Sequence, residues 1–383
     1  MTKKFTIPTP LALCLFATPS VAQTNTERLD QLELQISSLQ QEIASAAANR
    51  VRFNGFFSTG YARASNDAGF TGITEKSEVQ DLSLMALQGA FSLTDDTQAV
   101  MQLISRGEED WDTSLEWAYL SHQLTNDIHI RAGKMRLPFF MYSDSLELGY
   151  AQPWARPPEA VYGVVPVKSY VGVDSTYTYN LDRSSINAQL FAGHSDESAT
   201  RDEIDVEARN LYGLSLSWTN YVWSARAIVS TASATVSLPS VGNLANGDRV
   251  DFAGLGFSYD DGTWQIVAEV TRIELDSPVP DSDSAYLSVG HRFGNLTPYA
   301  LIGWIESKDD ERRAGSPLSA LDDRRDEYSL GVRWDVVSGV ALKFDWTHAR
   351  GFGEEAGGLN TPMVFAENLD STNVYTVKID SAF

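Results

Sequence analysis

The chain has 383 residues, with 51 Asp and Glu against 29 Lys and Arg and a formal net charge of −22; so acidic a protein lacks the basic footprint that a nucleic-acid partner requires. It contains one cysteine, nine tryptophans and 15 tyrosines, and no apolar run approaches the roughly 20 residues with which a helix crosses a bilayer.

Residues 1–22 read as a secretory signal. Lys3 and Lys4 precede a short apolar core, Leu11 to Ala17, and Ser20-Val21-Ala22 supplies small residues for cleavage; the segment is too short for a retained span. Cys14 lies inside it behind Leu13, where lipid attachment would need a small residue. Cleavage removes that cysteine, and with it disulfides, thiolate catalysis and cysteine-bound metals. It also removes two lysines and no acid, taking the charge from −22 to −24. An exported, aromatic-rich chain without a spanning helix belongs in the periplasm or in the bacterial outer membrane, and alternating strands of about ten residues decide for the second.

In residues 23–50, Leu29, Leu32, Ile36, Leu39, Ile43 and Ala46 recur at alternating steps of three and four, the heptad spacing of a coiled-coil seam. Three heptads make a helix of about 30 Å, marginal alone. Its alternative is a single amphipathic helix packed on, or plugging, the domain that follows.

From residue 51 onward the period changes to two. Seven short polar turns are centred on Asp95-Asp96, Asn126-Asp127, Asp182-Arg183, Thr219-Asn220, Asp260-Asp261-Gly262, Gly294-Asn295 and Ser338-Gly339, with residue types that turns favour. Eight longer connections alternate with them, at roughly 64–80, 107–112, 137–168, 194–206, 233–249, 275–283, 307–325 and 351–371. Seven turns and eight loops join sixteen strands, from Val51–Ala64 to one whose faces alternate through Asn373, Tyr375, Val377, Ile379, Ser381 and Phe383. The predicted fold is all-β: a 16-stranded antiparallel transmembrane β-barrel over residues 51–383, preceded by the short α-helical coiled coil.

One face of each strand is apolar, as in Tyr328, Leu330, Val332, Trp334 or Val340, Leu342, Phe344, Trp346; the other is small, polar or charged, as in Ser329, Gly331, Arg333, Asp335 or Ala341, Lys343, Asp345, Thr347. A soluble barrel would turn the polar face outward. Sixteen strands enclose a space too wide for side chains to fill, and an arginine against lipid near the midplane costs about 2 to 4 kcal/mol, so the polar face is expected to line a wet lumen. Aromatics gather beside the short turns, where an interfacial girdle would lie.

The third connection, 137–168, carries five prolines (138, 153, 157, 158, 166) and Phe139, Phe140, Tyr142, Tyr150, Trp154 and Tyr162. It is long enough to be functional and too aromatic for disorder; folding inward onto the wall would bury these rings and narrow the channel.

In strand parity, loop asymmetry, this third loop and Phe383, residues 51–383 resemble the general porins of Gram-negative bacteria, whose third loop forms the constriction. With Leu29 to Ala46 ahead of the barrel, the chain is similar more narrowly to DcaP-like porins, in which a periplasmic coiled coil precedes a trimer of sixteen-stranded barrels that passes dicarboxylates. The resemblance implies an outer-membrane protein that forms a homotrimer and lets small hydrophilic solutes, carboxylates among them, diffuse passively without a cofactor. Ile at a with Leu at d mildly favours dimers, but the barrel's preference for trimers is expected to prevail, with Leu29, Leu32, Ile36, Leu39 and Ile43 joining the helices.

Charged residues expected at the constriction are Asp144, Glu147, Arg156, Glu159 and Lys168 on the loop and Arg131, Arg226, Arg292, Arg333, Lys343 and Lys378 on the wall, facing Glu116, Asp174, Glu269, Asp335 and Asp345. An acidic loop opposite a basic wall would set a transverse field and a weak anion preference. The alternative is that these charges pair across strands and keep the lumen wet. The remaining acid lies in loops such as Glu108-Glu109-Asp110 and Asp309 to Asp326, where it suits solvent or a divalent-cation bridge to lipopolysaccharide; no spacing fits a calcium loop, and no metal is expected.

The five histidines, His122, His129, His194, His291 and His348, form no metal-binding pair at helical spacing, and no Gly-Xaa-Ser-Xaa-Gly elbow occurs. The expectation is not an enzyme. Two alternatives stay open: an outer-membrane barrel hydrolase, for which the lipid-facing register of His291 is the one candidate, and a structural envelope anchor with a closed pore.

Overall fold

The computed structural model describes residues 50–199, 204–238, 242–352, 359, 364 and 367–383. The segments read as signal and coiled coil, with Leu29, Leu32, Ile36, Leu39 and Ile43, lie outside the described residues.

Sixteen strands form one closed antiparallel barrel in which each strand pairs with its sequence neighbours and β1 with β16. They are β1 (Val51–Ala64), β2 (Leu84–Ser92), β3 (Thr97–Arg106), β4 (Thr113–Gln123), β5 (Ile128–Arg136), β6 (Ser169–Asn180), β7 (Ser185–Ala199), β8 (Ile204–Thr219), β9 (Trp223–Leu238), β10 (Gly242–Asp260), β11 (Trp264–Leu275), β12 (Ser282–His291), β13 (Leu296–Ser307), β14 (Arg324–Val337), β15 (Val340–Arg350) and β16 (Ser371–Ala382). Closure runs in register from Phe56 opposite Ala382 to Ala64 opposite Val374. Gly55 and Phe383 exchange both backbone hydrogen bonds, at 2.8 and 2.9 Å, so no edge is left unpaired at the seam.

All seven short turns fall where the sequence places them. Between β10 and β11 the Asp261 carboxylate accepts from the amides of Thr263 and Trp264 at 2.8 and 2.7 Å, and Gly262 takes a φ of 86°, a region open to glycine. Between β8 and β9 Asn220 plays the same part, accepting from Trp223 at 2.8 Å.

Two of the expected loops are instead largely strand. Residues 194–199 and 204–206 extend the β7–β8 hairpin, and 233–238 and 242–249 extend β9–β10, so β10 reaches 19 residues, about 60 Å of chain. The acid and Ser/Thr content of these segments reads as loop because what they bury is small, Ala208, Ala232, Ala234 and Ala245; backbone pairing persists without large apolar side chains to announce it. Bulges between Arg209 and Tyr212 and between Asn246 and Asp248 carry the ladder through these stretches.

The outward face is the apolar one: Leu255, Leu190, Val229 and Leu330 are 55 to 61% exposed, whereas Lys343 and Asp380 on the inward face are fully buried. Aromatics ring both edges of this belt. Trp223, Trp264 and Trp334 stand by the short turns, and Tyr212, Trp304, Tyr328 and Trp346 lie at the opposite edge, a second girdle where the sequence suggested one. Above it the outward residues become ion pairs, Arg272 with Asp283 at 2.6 Å and Arg249 with Asp251 at 2.9 Å.

Candidate constriction

The third loop, residues 137–168, lies inside the barrel. Its rings build most of one apolar cluster with wall residues: Phe139 stacks on Phe252 at 4.4 Å, Phe140 lies 4.8 Å from Tyr162, and Trp154 meets Tyr286 edge-on at 5.7 Å. Trp154 and Val161 are essentially inaccessible. On the other side of the loop Leu148 packs against Phe56, Ala86 and Ile104 of β1–β3. An irregular chain inside a barrel needs partners for its peptide groups; the five prolines shorten that list by removing five N–H donors.

The loop's own turns meet part of the rest, as where the amides of Ser143, Ala151 and Gln152 donate to the carbonyls of Phe140, Leu148 and Gly149, and ionic wall side chains meet others. Lys343 Nζ donates to the carbonyls of Gly149 and Trp154 at 2.6 and 2.8 Å and pairs with Asp380 at 2.7 Å. Arg333 Nη1 donates to the carbonyls of Tyr150 and Gln152 at 2.6 and 2.9 Å, its guanidinium lies 4.7 Å over the Tyr150 ring, and Asp335 takes its other edge. Arg226 donates to the Phe140 carbonyl. Acids serve the amides: Glu269 accepts from Met141 N at 2.8 Å, Tyr162 Oη at 2.5 Å and Tyr286 Oη at 2.7 Å, and Glu327 accepts from Ala160 N at 3.2 Å. Trp154 Nε1 donates to Ser288 Oγ at 2.7 Å, and the amide of Ala155 donates to Tyr299 Oη, which itself donates to Asp345.

The residues expected at the constriction therefore separate into groups. Arg226, Arg333 and Lys343 are engaged by the loop backbone. Glu147 joins a buried cluster at the loop's base, 3.2 Å from Arg106 and 3.7 Å from both Arg136 and Lys168, with Glu116 between the two arginines at 2.7 and 2.6 Å. Burial raises the proton affinity of Glu147, but Lys168, Arg106 and Arg136 outweigh it and hold the carboxyl well below its usual range. Arg156 reaches the Thr71 carbonyl of the first loop at 3.1 Å beside a cavity of about 20 Å³ that Glu159, Glu327 and Asp345 also line; burial draws its pKa down, against the carboxylates of Glu159 and Asp345. Lys378 is 3.6 Å from Asp380. Arg292 stands apart from the constriction, in the short turn after β12, paired with Asp260 at 2.5 Å, because its strand ends at His291.

Arg131 on β5 pairs bidentately with Asp174 on β6, at 3.1 and 2.7 Å, and stacks over Tyr119 at 5.4 Å. Asp174 also accepts from Tyr170 and Gln189 at 3.0 and 3.1 Å. These bonds stay within the wall, and the Arg131 side chain keeps 21% of its surface exposed. Asp144, exposed on the loop, acts electrostatically on Arg131, Tyr119 and Tyr170. Around them the inward faces of β4–β9 carry Ser121, His129, Thr176, Asn187, Ser217 and Ser224, all partly exposed.

Arg106 and Arg136 were missed in the sequence reading. Each ends its strand beside a long loop, and their only signal was an inward-facing acid, Glu116, on the strand between them. Among the described residues no group of three or more His, Cys, Asp or Glu side chains is placed to hold a metal. His291 is sandwiched between Trp264 and Phe293, at 4.5 and 4.2 Å, the surroundings of a girdle residue.

No protein-family model matches this sequence, and neither does any curated protein. Solved structures do match. They include the outer membrane channel DcaP of Acinetobacter baumannii, at 14% identity over 87% of this chain and 97% of that one, with a TM-score of 0.58. The anion-selective porin from Comamonas acidovorans is 16% identical over 87% and 99%, with a TM-score of 0.57. OmpF of Salmonella typhi, in complex with daunomycin, is 12% identical over 87% and 97%, with a TM-score of 0.60. At these identities the likeness is one of fold.

Proposed function

We propose that this chain is an outer-membrane diffusion channel, a porin of Gram-negative type through which small hydrophilic solutes pass down their gradients without chemistry or a cofactor. The observation that supports it most is the inverted polarity of a closed sixteen-stranded barrel, apolar outside and ionic inside, with a long loop fastened across its interior. A structure of that kind has its low-energy solvent in a bilayer and its water within. The hydrolase alternative fares less well. A hydrolase needs a nucleophile beside its base, and His291 has aromatic neighbours instead.

With Arg226, Arg333 and Lys343 engaged by the loop, the charges that keep surface open to a solute beside it include Asp144 and Arg131. Acid and base at one level would order dipolar solutes and discriminate only weakly by charge, so carboxylates are accepted without being required. Homotrimer assembly, with lipid and lipopolysaccharide around the belt, completes the reading: one solved structure of this fold, OmpT of Vibrio cholerae, is described as a trimer form, and the coiled-coil heptads would pin the subunits. Purified protein in a planar bilayer is expected to show stepwise, ohmic conductance. Arg131→Gln should move the reversal potential toward cations and Asp144→Asn toward anions, each by about fivefold in permeability ratio, or about 1 kcal/mol for a unit charge at close range. A barrel that inserts and passes no current would end the proposal.

A further inference from the structure

The wall bases have a second job that charge counting hides. We propose that Arg226, Arg333 and Lys343 are positioning residues that hold the third loop at fixed depth and so set the aperture, and that they are not the charges that sort permeating ions. The inference rests on the channel reading above and concerns the same constriction.

Lys343 has three N–H donors, and three acceptors surround it: the carbonyls of Gly149 and Trp154 and the carboxylate of Asp380. Nothing of the side chain is left exposed, so a passing ion meets neither its protons nor much of its field. Arg333 is divided in the same way, one edge on the Tyr150 and Gln152 carbonyls and the other on Asp335. Arg226 spends a donor on Phe140 O. The pattern is systematic: cations take the loop's carbonyls, while Glu269 and Glu327 take its amides at Met141 and Ala160. Within 149–154 the Gly149 carbonyl also accepts from Gln152 N at 3.0 Å, whereas those of Tyr150, Gln152 and Trp154 rely on Arg333 and Lys343, and a buried carbonyl left unmet is costly.

Gly149 shows how close the loop is drawn. A Cβ there would lie 2.1 Å from Asp380 Oδ1. Asp380 has little room to withdraw, being held by Ser58 at 2.5 Å, Lys343 at 2.7 Å and Lys378 at 3.6 Å. Gly149→Ala therefore displaces the loop while leaving every charge in place, which separates positioning from charge filtering.

The test compares wild type, Gly149→Ala and the double variant Arg226→Gln with Arg333→Gln, each first verified as a folded barrel by heat-modifiable mobility on gels. Two readouts are taken: single-channel conductance with the size limit for neutral polyethylene glycols, and amide hydrogen exchange over residues 137–168. Positioning predicts that both variants gain about twofold or more in conductance, admit larger polymers and exchange loop amides faster. A Gly149→Ala channel with the wild-type size limit and exchange overturns the proposal. So does a double variant in which only the reversal potential moves. Wild-type conductance alone tests the channel reading, and the exchange measurement reports on the loop whether or not current flows, so the two ideas fail separately.

Discussion

Glu147 carries the clearest pH signature at the level of single residues. Its carboxyl is held well below the usual value of 4.5 by Lys168, Arg106 and Arg136 in spite of burial. An acid with a depressed folded pKa binds its proton less readily when the loop is docked, so it contributes stability above the undocked value. That contribution falls away as pH drops from about 4.5 toward the lower folded value. Loop docking should therefore be unchanged between pH 7 and about 5 and weaken only in stronger acid. In Glu147→Gln the acid-side loss should shrink, and docking at pH 7 should be poorer, because Arg106, Arg136 and Lys168 are left around a neutral amide in a site where removing one buried partner typically costs about 3 to 5 kcal/mol. Loop amide exchange followed from pH 7 to 3 gives the comparison; identical pH profiles in the two proteins would show that Glu147 takes no part in holding the loop.

The strands and turns were legible because each obeys a local rule. Asp261 and Gly262 make a turn wherever they stand, and Tyr328-Leu330-Val332-Trp334 can only face one way together. Two features lacked such a rule. The outer ends of β7–β10 bury only small side chains such as Ala232, Ala234 and Ala245, so they read as loop although the ladder continues. The partners of Arg226, Arg333 and Lys343 were equally hidden, since periodicity assigns a side chain to the lumen but not to a particular carbonyl of a loop 86 to 194 residues earlier in the chain. The third loop was recognised by its aromatics, and Trp154 is the one that locks it, edge-on to both Tyr142 and Tyr286 and hydrogen-bonded to Ser288. Trp154→Ala should cost about 3 to 5 kcal/mol of loop docking and leave the barrel closed, because no strand pairing depends on it. Protease cleavage within 137–168, with the barrel core resistant, is the expected outcome. Cooperative loss of loop and barrel together would mean that the loop is part of the barrel's own core.

For the molecule as a whole, the deciding quantity is which side of the sheet is greasy. Leu330 on β14 lies on the outward face between Trp334 at one edge of the belt and Tyr328 at the other, 55% exposed. Ser217 on β8 lies on the inward face, partly exposed, with Asn187 and Arg226 as its cross-strand neighbours. The same arginine placed at the two sites meets opposite environments. At residue 330 it must sit near the bilayer midplane, at a cost of about 2 to 4 kcal/mol. At residue 217 it enters water on a polar face, beside Asn187 and Arg226, where a like charge across the ladder costs less than about 1 kcal/mol. Leu330→Arg should therefore shift urea-induced unfolding from lipid vesicles to lower denaturant by that amount, whereas Ser217→Arg should leave the midpoint nearly unchanged and move the reversal potential toward anions. A soluble barrel with an apolar interior would give the reverse order, Leu330→Arg harmless and Ser217→Arg disruptive. Measuring the pair in one lipid tests polarity with the introduced residue held constant, so the order of the two effects reports the solvent on each face.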